Sequence, residues 1–204
     1  GRDYSAGTIR NKIMAGHTRS AIYLSNLLIC LVAGLLICAA YLLSACAVGI
    51  PLMGFFKNAP VMLLPILYSL AISAAFSSVF TLLSMLIHSR SAAVAISTLG
   101  IFALLFVSFF IHGRLQEPEI HPAVIYQDDS GNLITEESAP NPWYVGGSKR
   151  AVMEFLTEFL PTGQTALLLD QDAVPPTRLF VWDAVLILVV TGPGLFLFGR
   201  KDLK

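Results

Sequence analysis

The sequence predicts an all-α polytopic membrane protein with four transmembrane helices and a small α+β insert. Hydrophobic residues make up 55% of the 204 residues and charged residues only 13%, which is about half of the charged share of a soluble domain. The hydrophobic residues are gathered into four runs, and each is long enough to cross a bilayer, which takes roughly 20 apolar residues. The net charge is zero, but acidic and basic residues concentrate in different connecting segments.

The first twenty residues are predicted to contain a short amphipathic helix ahead of the first hydrophobic run. Ser5 or Thr8 can cap this helix at its N-terminus, and Gly16 can stop it. Ile9 and Ile13 lie four residues apart on one face. The polar side chains on the other faces are Arg10, Asn11 and Lys12. Charge and periodicity alone favour an anchor on the anionic cytoplasmic leaflet over a contact with a soluble partner.

The four hydrophobic runs are assigned to membrane spans at residues 21–50, 60–88, 92–112 and 179–199. Pro51 and Gly54 are expected to end the first span. Only residues 89–91 separate the second span from the third, so these two helices must be antiparallel neighbours. Asp183 lies about 8 Å along the last helix from Arg178, which favours solvation of its carboxyl group among lipid headgroups.

A stripe of hydroxyl side chains follows the second span at four-residue spacing. Its members are Ser69, Ser73, Ser77 and Thr81. Small and hydroxyl residues in a membrane helix most often allow close packing against another helix. The alternative interpretation is that the stripe lines part of a substrate path, and the sequence leaves both interpretations open.

Residues 113–178 interrupt the apolar pattern and are predicted to form a separate segment with a hairpin and an interfacial helix. Residues 113–177 contain ten acidic residues against three basic ones. Two short apolar stretches at residues 123–127 and 133–135 flank an Asp/Ser/Gly/Asn turn, which predicts a β-hairpin. Residues 149–169 have an amphipathic pattern that Pro161 and Gly163 should break. We therefore expect a helix that lies at the outer membrane interface or dips partly into it, rather than a fifth span.

The distribution of charge predicts the orientation in the membrane. The segments before the first span, between the second and third, and after the last span together carry eight Lys and Arg residues against two Asp residues. By the positive-inside rule these segments face the cytoplasm. Residues 1–20 and the tail at residues 200–204 are therefore predicted to be cytoplasmic, and residues 113–178 to be extracellular.

Three stretches resemble permeases of the ABC-2 type exporter family. Residues 3–26, DYSAGTIRNKIMAGHTRSAIYLSN, are similar to the segment after the second membrane helix of such permeases. Residues 141–164, NPWYVGGSKRAVMEFLTEFLPTGQ, resemble the outer segment of Firmicute-type members, and the closing FGRKDLK resembles their basic end. The matches occur in the family's order. The resemblance implies that the four predicted membrane spans are helices three to six of a six-helix permease, with the first two helices lying upstream of Gly1.

The resemblance also implies a function. In the family, the element corresponding to the first match is the coupling helix, which docks on a separate ABC ATP-binding subunit. The residues that match this element are Gly7, Thr8, Ile9, Arg10, Asn11, Lys12 and Ile13. ATP and Mg would be bound by that partner, so this chain would carry no cofactor. A second permease subunit, identical or different, and membrane lipid would be its other partners, with no nucleic acid.

No catalytic motif stands out in the sequence. The nearest approach to a phosphate-binding loop, residues 194–201, has Arg200 and Lys201 where Lys and Ser or Thr are required. His112, Glu117, Glu119 and His121 have no regular spacing for a metal. The chain is therefore predicted to be a non-enzymatic subunit that exports a lipophilic or amphipathic substrate, such as a drug or peptide antibiotic. The alternative is a membrane-embedded structural or sensory subunit without transport activity.

Overall fold

The computed structural model describes residues 8–54, 59–127, 131, 133–170 and 177–201. The helices are α1 (Thr8–Met14), α2 (Arg19–Met53), α3 (Ala59–Leu86), α4 (Arg90–Gln116), α5 (Gly147–Phe159), α6 (Pro161–Leu169) and α7 (Leu179–Arg200). The strands are β1 (Ile120–His121), β2 (Val124–Gln127), β3 (Leu133–Glu136) and β4 (Ala139–Pro140). Four helices, α2, α3, α4 and α7, are long and apolar enough to cross a membrane. This architecture fits an all-α, multi-pass membrane protein.

A glycine corner separates α1 from α2. Gly16 has a φ of +91°, a left-handed conformation that disfavours other residues, and the predicted stop of the first helix at Gly16 is confirmed. Thr18 then caps α2, because its Oγ1 accepts a hydrogen bond of 3.2 Å from the amide of Ala21. Thr8 is the first helical residue in the described part of the chain, whereas Ser5 lies outside it.

The sequence suggested that Pro51 and Gly54 end the long helix α2. The helix instead continues past Pro51 through Met53 and ends at Gly54. A proline ring removes one backbone hydrogen bond, and so close to the end of a helix this loss is too small to end it. Gly54 has a φ of +84° and leaves the helical region while its amide still donates to the carbonyl of Ile50 at 2.9 Å. Glycine rather than proline therefore sets this boundary.

A short connection links α3 to α4, which contact each other as predicted. Ser89 caps α4 by accepting a hydrogen bond from the amide of Ala92 at 3.4 Å. The helix α4 continues to Gln116, four residues beyond the predicted boundary at residue 112.

The segment after α4 contains the predicted hairpin, in which β2 pairs antiparallel with β3 and Val124 lies opposite Glu136. A second antiparallel pair, β1 with β4, was not predicted; it places Ile120 opposite Pro140. Asn141 connects the end of the strand-bearing segment to its beginning. Its Nδ2 donates to Oε2 of Glu117 at 2.8 Å and to the carbonyl of Pro118 at 2.9 Å. The predicted break at Pro161 separates α5 from α6, but Gly163 lies inside α6.

The helices pack in two groups. In the first group α3 lies against both α2 and α7, and α1 contacts α2. In the second group α4 packs against α5 and α6, which also contact each other. Contacts of α3 with α4 and α6, and of α5 with α7, join the two groups.

Candidate functional site

The buried side chain of Ile9 packs the helix α1 against the first group. Ile9 is only 2% exposed and packs in a cluster with Ile22, Tyr23, Met85 and Phe198, with Ile13 and Leu195 at its edge. The cluster lies where α2 begins and where α3 and α7 end, and we call this the Ile9 end of the bundle. Packing of this kind fixes where the short helix α1 lies, although a helix of seven residues is not stable alone.

Two basic side chains cap helix C-termini beside this cluster. Nη1 of Arg19 donates to the carbonyl oxygens of Gly199 at 2.9 Å and Lys201 at 2.7 Å. Nζ of Lys201 donates to the carbonyls of Met85 at 3.1 Å and Leu86 at 2.7 Å. Both satisfy carbonyls that a helix leaves unpaired at its C-terminus. Partial burial lowers the pKa of Lys201. The bonds of Arg19 and Lys201 tie α2, α7 and α3 together at the Ile9 end.

The helices α2 and α7 approach each other closely at Tyr23, which is a member of this cluster. The side chain of Tyr23 fills the space beside Gly194, where a Cβ atom would collide with the Tyr23 hydroxyl oxygen. Gly194 follows Pro193, which interrupts the hydrogen bonding of α7. Only glycine at position 194 therefore allows Tyr23 to reach this part of α7.

The predicted coupling residues have different environments in the structure. Ile9 and Ile13 face the bundle, whereas Asn11 and the neighbouring Met14 are exposed, Met14 by 69%. Lys12 is half-buried. Gly7 lies outside the described residues, as do the side chains of Thr8 and Arg10. The face of α1 that a soluble partner could reach therefore includes Asn11 and Met14, whereas Ile9 supports the helix from behind.

The hydroxyl stripe of α3 packs against α2 at one end. Oγ of Ser77 donates to the carbonyl of Ser73 at 2.8 Å and lies 3.3 Å from the carbonyl oxygen of Cys30 in α2. A Cβ atom at position 34 would lie only 2.7 Å from that Oγ, so Gly34 is what brings the two helices together. Thr81 is fully buried and donates to the carbonyl of Ser77 at 2.8 Å. Packing is the observed role of these two hydroxyl residues.

The same stripe also borders a cavity. Ser69, Ser73 and Ser77 line a cavity of about 750 Å³ between the two helix groups. Its other walls come from α2, from Ile101 and Leu105 of α4, and from Thr165 of α6. The Ser69 hydroxyl donates to the carbonyl of Pro65 within its own helix at 2.9 Å. The lining is therefore chiefly apolar, which suits a lipophilic occupant.

Polar side chains hold α6 in place at the opposite end, which we call the Gln164 end. Ser108 of α4 and Thr162 of α6 are buried and share a hydrogen bond of 2.8 Å. Near the end of the same two helices, Nε2 of Gln116 donates to Oδ2 of Asp170 at 2.6 Å. Gly163 allows α6 to turn closely past Thr157 of α5, because a Cβ atom there would collide with the Thr157 carbonyl. These contacts unite the second group.

Asp183 is buried, which corrects the expectation that headgroups solvate it. Its side chain is 2% exposed, and neither carboxyl oxygen has a hydrogen-bond partner in the described part of the chain. Gln164 of α6, also fully buried, lies beside it. Nε2 of Gln164 donates to the carbonyl of Glu158 at 2.9 Å, whereas its Oε1 accepts no hydrogen bond. The spacing from Arg178 along α7 could not reveal this burial, because α6 comes from elsewhere in the sequence.

The helix α5 packs against the N-terminal end of α7. Nη2 of Arg178 donates to Oε1 of Glu158 in an ion pair that raises the pKa of Arg178. The rings of Phe155 and Phe159 meet Trp182 edge-on, with centroids 5.4 and 5.9 Å away. The ion pair with Glu158 therefore engages Arg178, which is the basic residue nearest to Asp183 along α7.

Among the residues that the structure describes, no three His, Cys, Asp or Glu side chains come together as metal ligands. The buried pair Asp183 and Gln164 was absent from the predicted sites; the signal for it in the sequence was an acidic residue inside an apolar run.

Comparison with family models, with curated proteins and with solved structures finds no match for this chain.

Proposed function

We propose that the chain is the transmembrane permease subunit of an ABC-2 type exporter, which works with a separate ATP-binding subunit and a second permease subunit. The observation that carries the proposal is the position of α1. Ile9 is buried among the ends of α2, α3 and α7, while Asn11 and Met14 on the same short helix are exposed. A helix placed in this way can receive a movement from a soluble protein and pass it to three membrane helices.

The contacts around α1 support such a transfer. Arg19 and Lys201 bind backbone carbonyls of α7 and α3, so the Ile9 end behaves as one packed unit. Interfaces of packed side chains shift between discrete arrangements and do not deform continuously. A push on α1 therefore displaces α2, α3 and α7 together relative to α4, α5 and α6. In this proposal the Ile9 end is cytoplasmic and the strand-bearing segment is extracellular.

The cavity lies where this displacement acts. Its walls come from α2 and α3 of the first group and from α4 and α6 of the second. Relative movement of the groups changes its size and the side on which it opens, as alternating access requires. Its largely apolar lining supports a lipophilic or amphipathic substrate, including drugs and peptide antibiotics.

The test is co-purification of the full-length chain with its ATP-binding subunit. Met14→Glu places a charge on the exposed face of α1, and the matched control Val152→Glu changes a 58% exposed residue of α5. We expect Met14→Glu to weaken the association by about thirtyfold or more, which is the loss of roughly 2 kcal/mol typical of a central contact residue. The control should bind as the unmodified chain does. Equal retention in both variants would contradict the proposal.

A transport measurement separates the proposal from its alternative. A structural or sensory subunit would bind its partner through α1 but would not support ATP-driven movement of any lipophilic compound. Binding of the ATP-binding subunit without transport would therefore favour that alternative.

A further inference from the structure

A buried acidic site lies where the two helix groups meet. Asp183 belongs to α7 in the first group, and Gln164 belongs to α6 in the second. Both side chains are at most 2% exposed. Within the described residues, no hydrogen bond of ordinary geometry reaches either oxygen of Asp183 or Oε1 of Gln164. The polar side chain beside the Asp183 carboxyl group is that of Gln164, whose Nε2 donates to the carbonyl of Glu158 at 2.9 Å. Three buried acceptors without a donor are costly and uncommon in folded proteins.

The charge of Asp183 is also uncompensated. No basic side chain pairs with Asp183 in the part of the chain that the structure describes. Arg178, the nearest basic residue along α7, is engaged by Glu158. Of the helices around the pair, α3 and α6 contain no charged residue, and the Glu158 side chain of α5 is paired with Arg178. A carboxyl group in a membrane helix is normally paired or belongs to a binding pathway.

We propose that Asp183 and Gln164 bind the ammonium group of an amphipathic cation that the exporter carries. An ammonium group supplies three N–H donors and one positive charge, which complement the three acceptor oxygens and the charge of the carboxylate. This inference rests on the proposed function and narrows its substrate class to lipophilic amines and peptides with a free amine.

The apolar part of the same ligand has a place next to this pair. Thr165, which directly follows Gln164 in α6, lines the cavity of about 750 Å³. That cavity is walled mainly by apolar side chains of α2, α3 and α4. Neither Asp183 nor Gln164 borders the cavity in the described conformation, so a ligand with its polar head at Asp183 places its apolar tail in the cavity only after α6 has moved.

Access to the pair follows from its position. Asp183 and Gln164 are covered in the described conformation, but they come from different helix groups. Separation of α6 from α7 exposes both side chains, and their return to contact releases the bound amine. The binding site is thereby linked to the same relative movement that a push on α1 produces.

The test measures binding of dodecylammonium to the full-length chain with its ATP-binding subunit in phosphatidylcholine nanodiscs, after subtraction of empty nanodiscs. Dodecanol, which has the same chain without the charge, is the matched neutral probe. Asp183→Asn removes the charge without changing the size of the side chain. The control Glu154→Gln removes an exposed carboxylate of α5.

We expect Asp183→Asn to weaken dodecylammonium binding by about tenfold or more, as the loss of a charge-assisted contact predicts. Dodecanol binding should change less than about twofold, which also shows that the variant is folded, and Glu154→Gln should change neither. Equal loss of both probes, or no loss of the amine, would overturn the proposal.

A small inorganic cation is the competing occupant. If sodium fills the site, sodium chloride should raise the melting temperature of the unmodified complex relative to choline chloride, but not that of Asp183→Asn, and dodecylammonium binding should not depend on Asp183. That result would refute the ammonium site. The measurement needs no ATP, so its failure is distinct from the failure of Met14→Glu to disrupt the subunit contact.

Discussion

Ile9 determines where α1 lies on the rest of the chain. Its burial among Ile22, Tyr23, Met85 and Phe198 was not foreseeable from the helix alone, because the pattern of Ile9 and Ile13 shows an apolar face but not what covers it. The sequence suggested that this face meets lipid or a partner protein. The structure packs it against the chain's own membrane helices and leaves Met14 outside.

Shortening Ile9 should therefore destabilise the Ile9 end. We expect Ile9→Ala to lower the free energy of unfolding by roughly 2–4 kcal/mol, because it leaves a cavity in a packed cluster. Ile9→Val, which removes one methylene, should cost only about 0.5–1.5 kcal/mol, and Met14→Ala should cost less than either because Met14 is exposed. Denaturant unfolding in detergent micelles measures these differences. Equal effects of Ile9→Ala and Met14→Ala would show that Ile9 is not buried.

Asp183 illustrates a different limit of sequence analysis. Its distance from Arg178 along α7 indicated a solvated carboxyl group, but α5 engages Arg178 through Glu158, and Gln164 of α6 lies beside Asp183. Burial depends on α5 and α6, whose residues Glu158 and Gln164 lie 20 positions before Arg178 and 19 positions before Asp183 in the sequence. Periodicity within α7 contains no information about them.

At the scale of the elements, apolar length and glycine signals predicted most of the helices. Four long runs became α2, α3, α4 and α7, and Gly16 and Pro161 end or interrupt helices as expected. Pro51 was misjudged because it lies too near the end of α2 to matter. The pair of β1 and β4 was missed because two-residue strands have no periodicity; the β2–β3 hairpin between them brings them together.

The contact of α2 with α3 depends on Gly34. We expect Gly34→Ala to lower the melting temperature, because the added methyl group would lie 2.7 Å from Oγ of Ser77 and overpacking costs about 1–3 kcal/mol. The control Gly100→Ala in α4 meets no atom within 4 Å and should stabilise its helix by about 0.5–1 kcal/mol.

The double variant Gly34→Ala with Ser77→Ala identifies the cause. Removing the Ser77 hydroxyl takes away the nearest atom that the new methyl group meets and leaves Oγ of Ser73 at 3.2 Å, so the double variant should recover part of the lost stability. No recovery would mean that Ser73 or backbone packing, not Oγ of Ser77, limits the approach of α2 to α3.

At the scale of the whole molecule, each of the two helix groups is held together by polar contacts, and these contacts lie at opposite ends of the bundle. Arg19 and Lys201 bind the first group at the Ile9 end, whereas the Ser108–Thr162 bond holds the second at the Gln164 end. The cavity and the Asp183–Gln164 pair both lie between the groups. An exporter driven through α1 would use this arrangement to convert one displacement into the opening of the cavity and of the amine site.

The most direct test is ATP-driven accumulation of a labelled lipophilic amine by inside-out membrane vesicles that contain the full-length chain and its ATP-binding subunit. The account predicts accumulation that requires ATP, survives Val152→Glu and is lost in Met14→Glu. Accumulation that persists undiminished in Met14→Glu, or that never occurs although the two subunits associate, would contradict it.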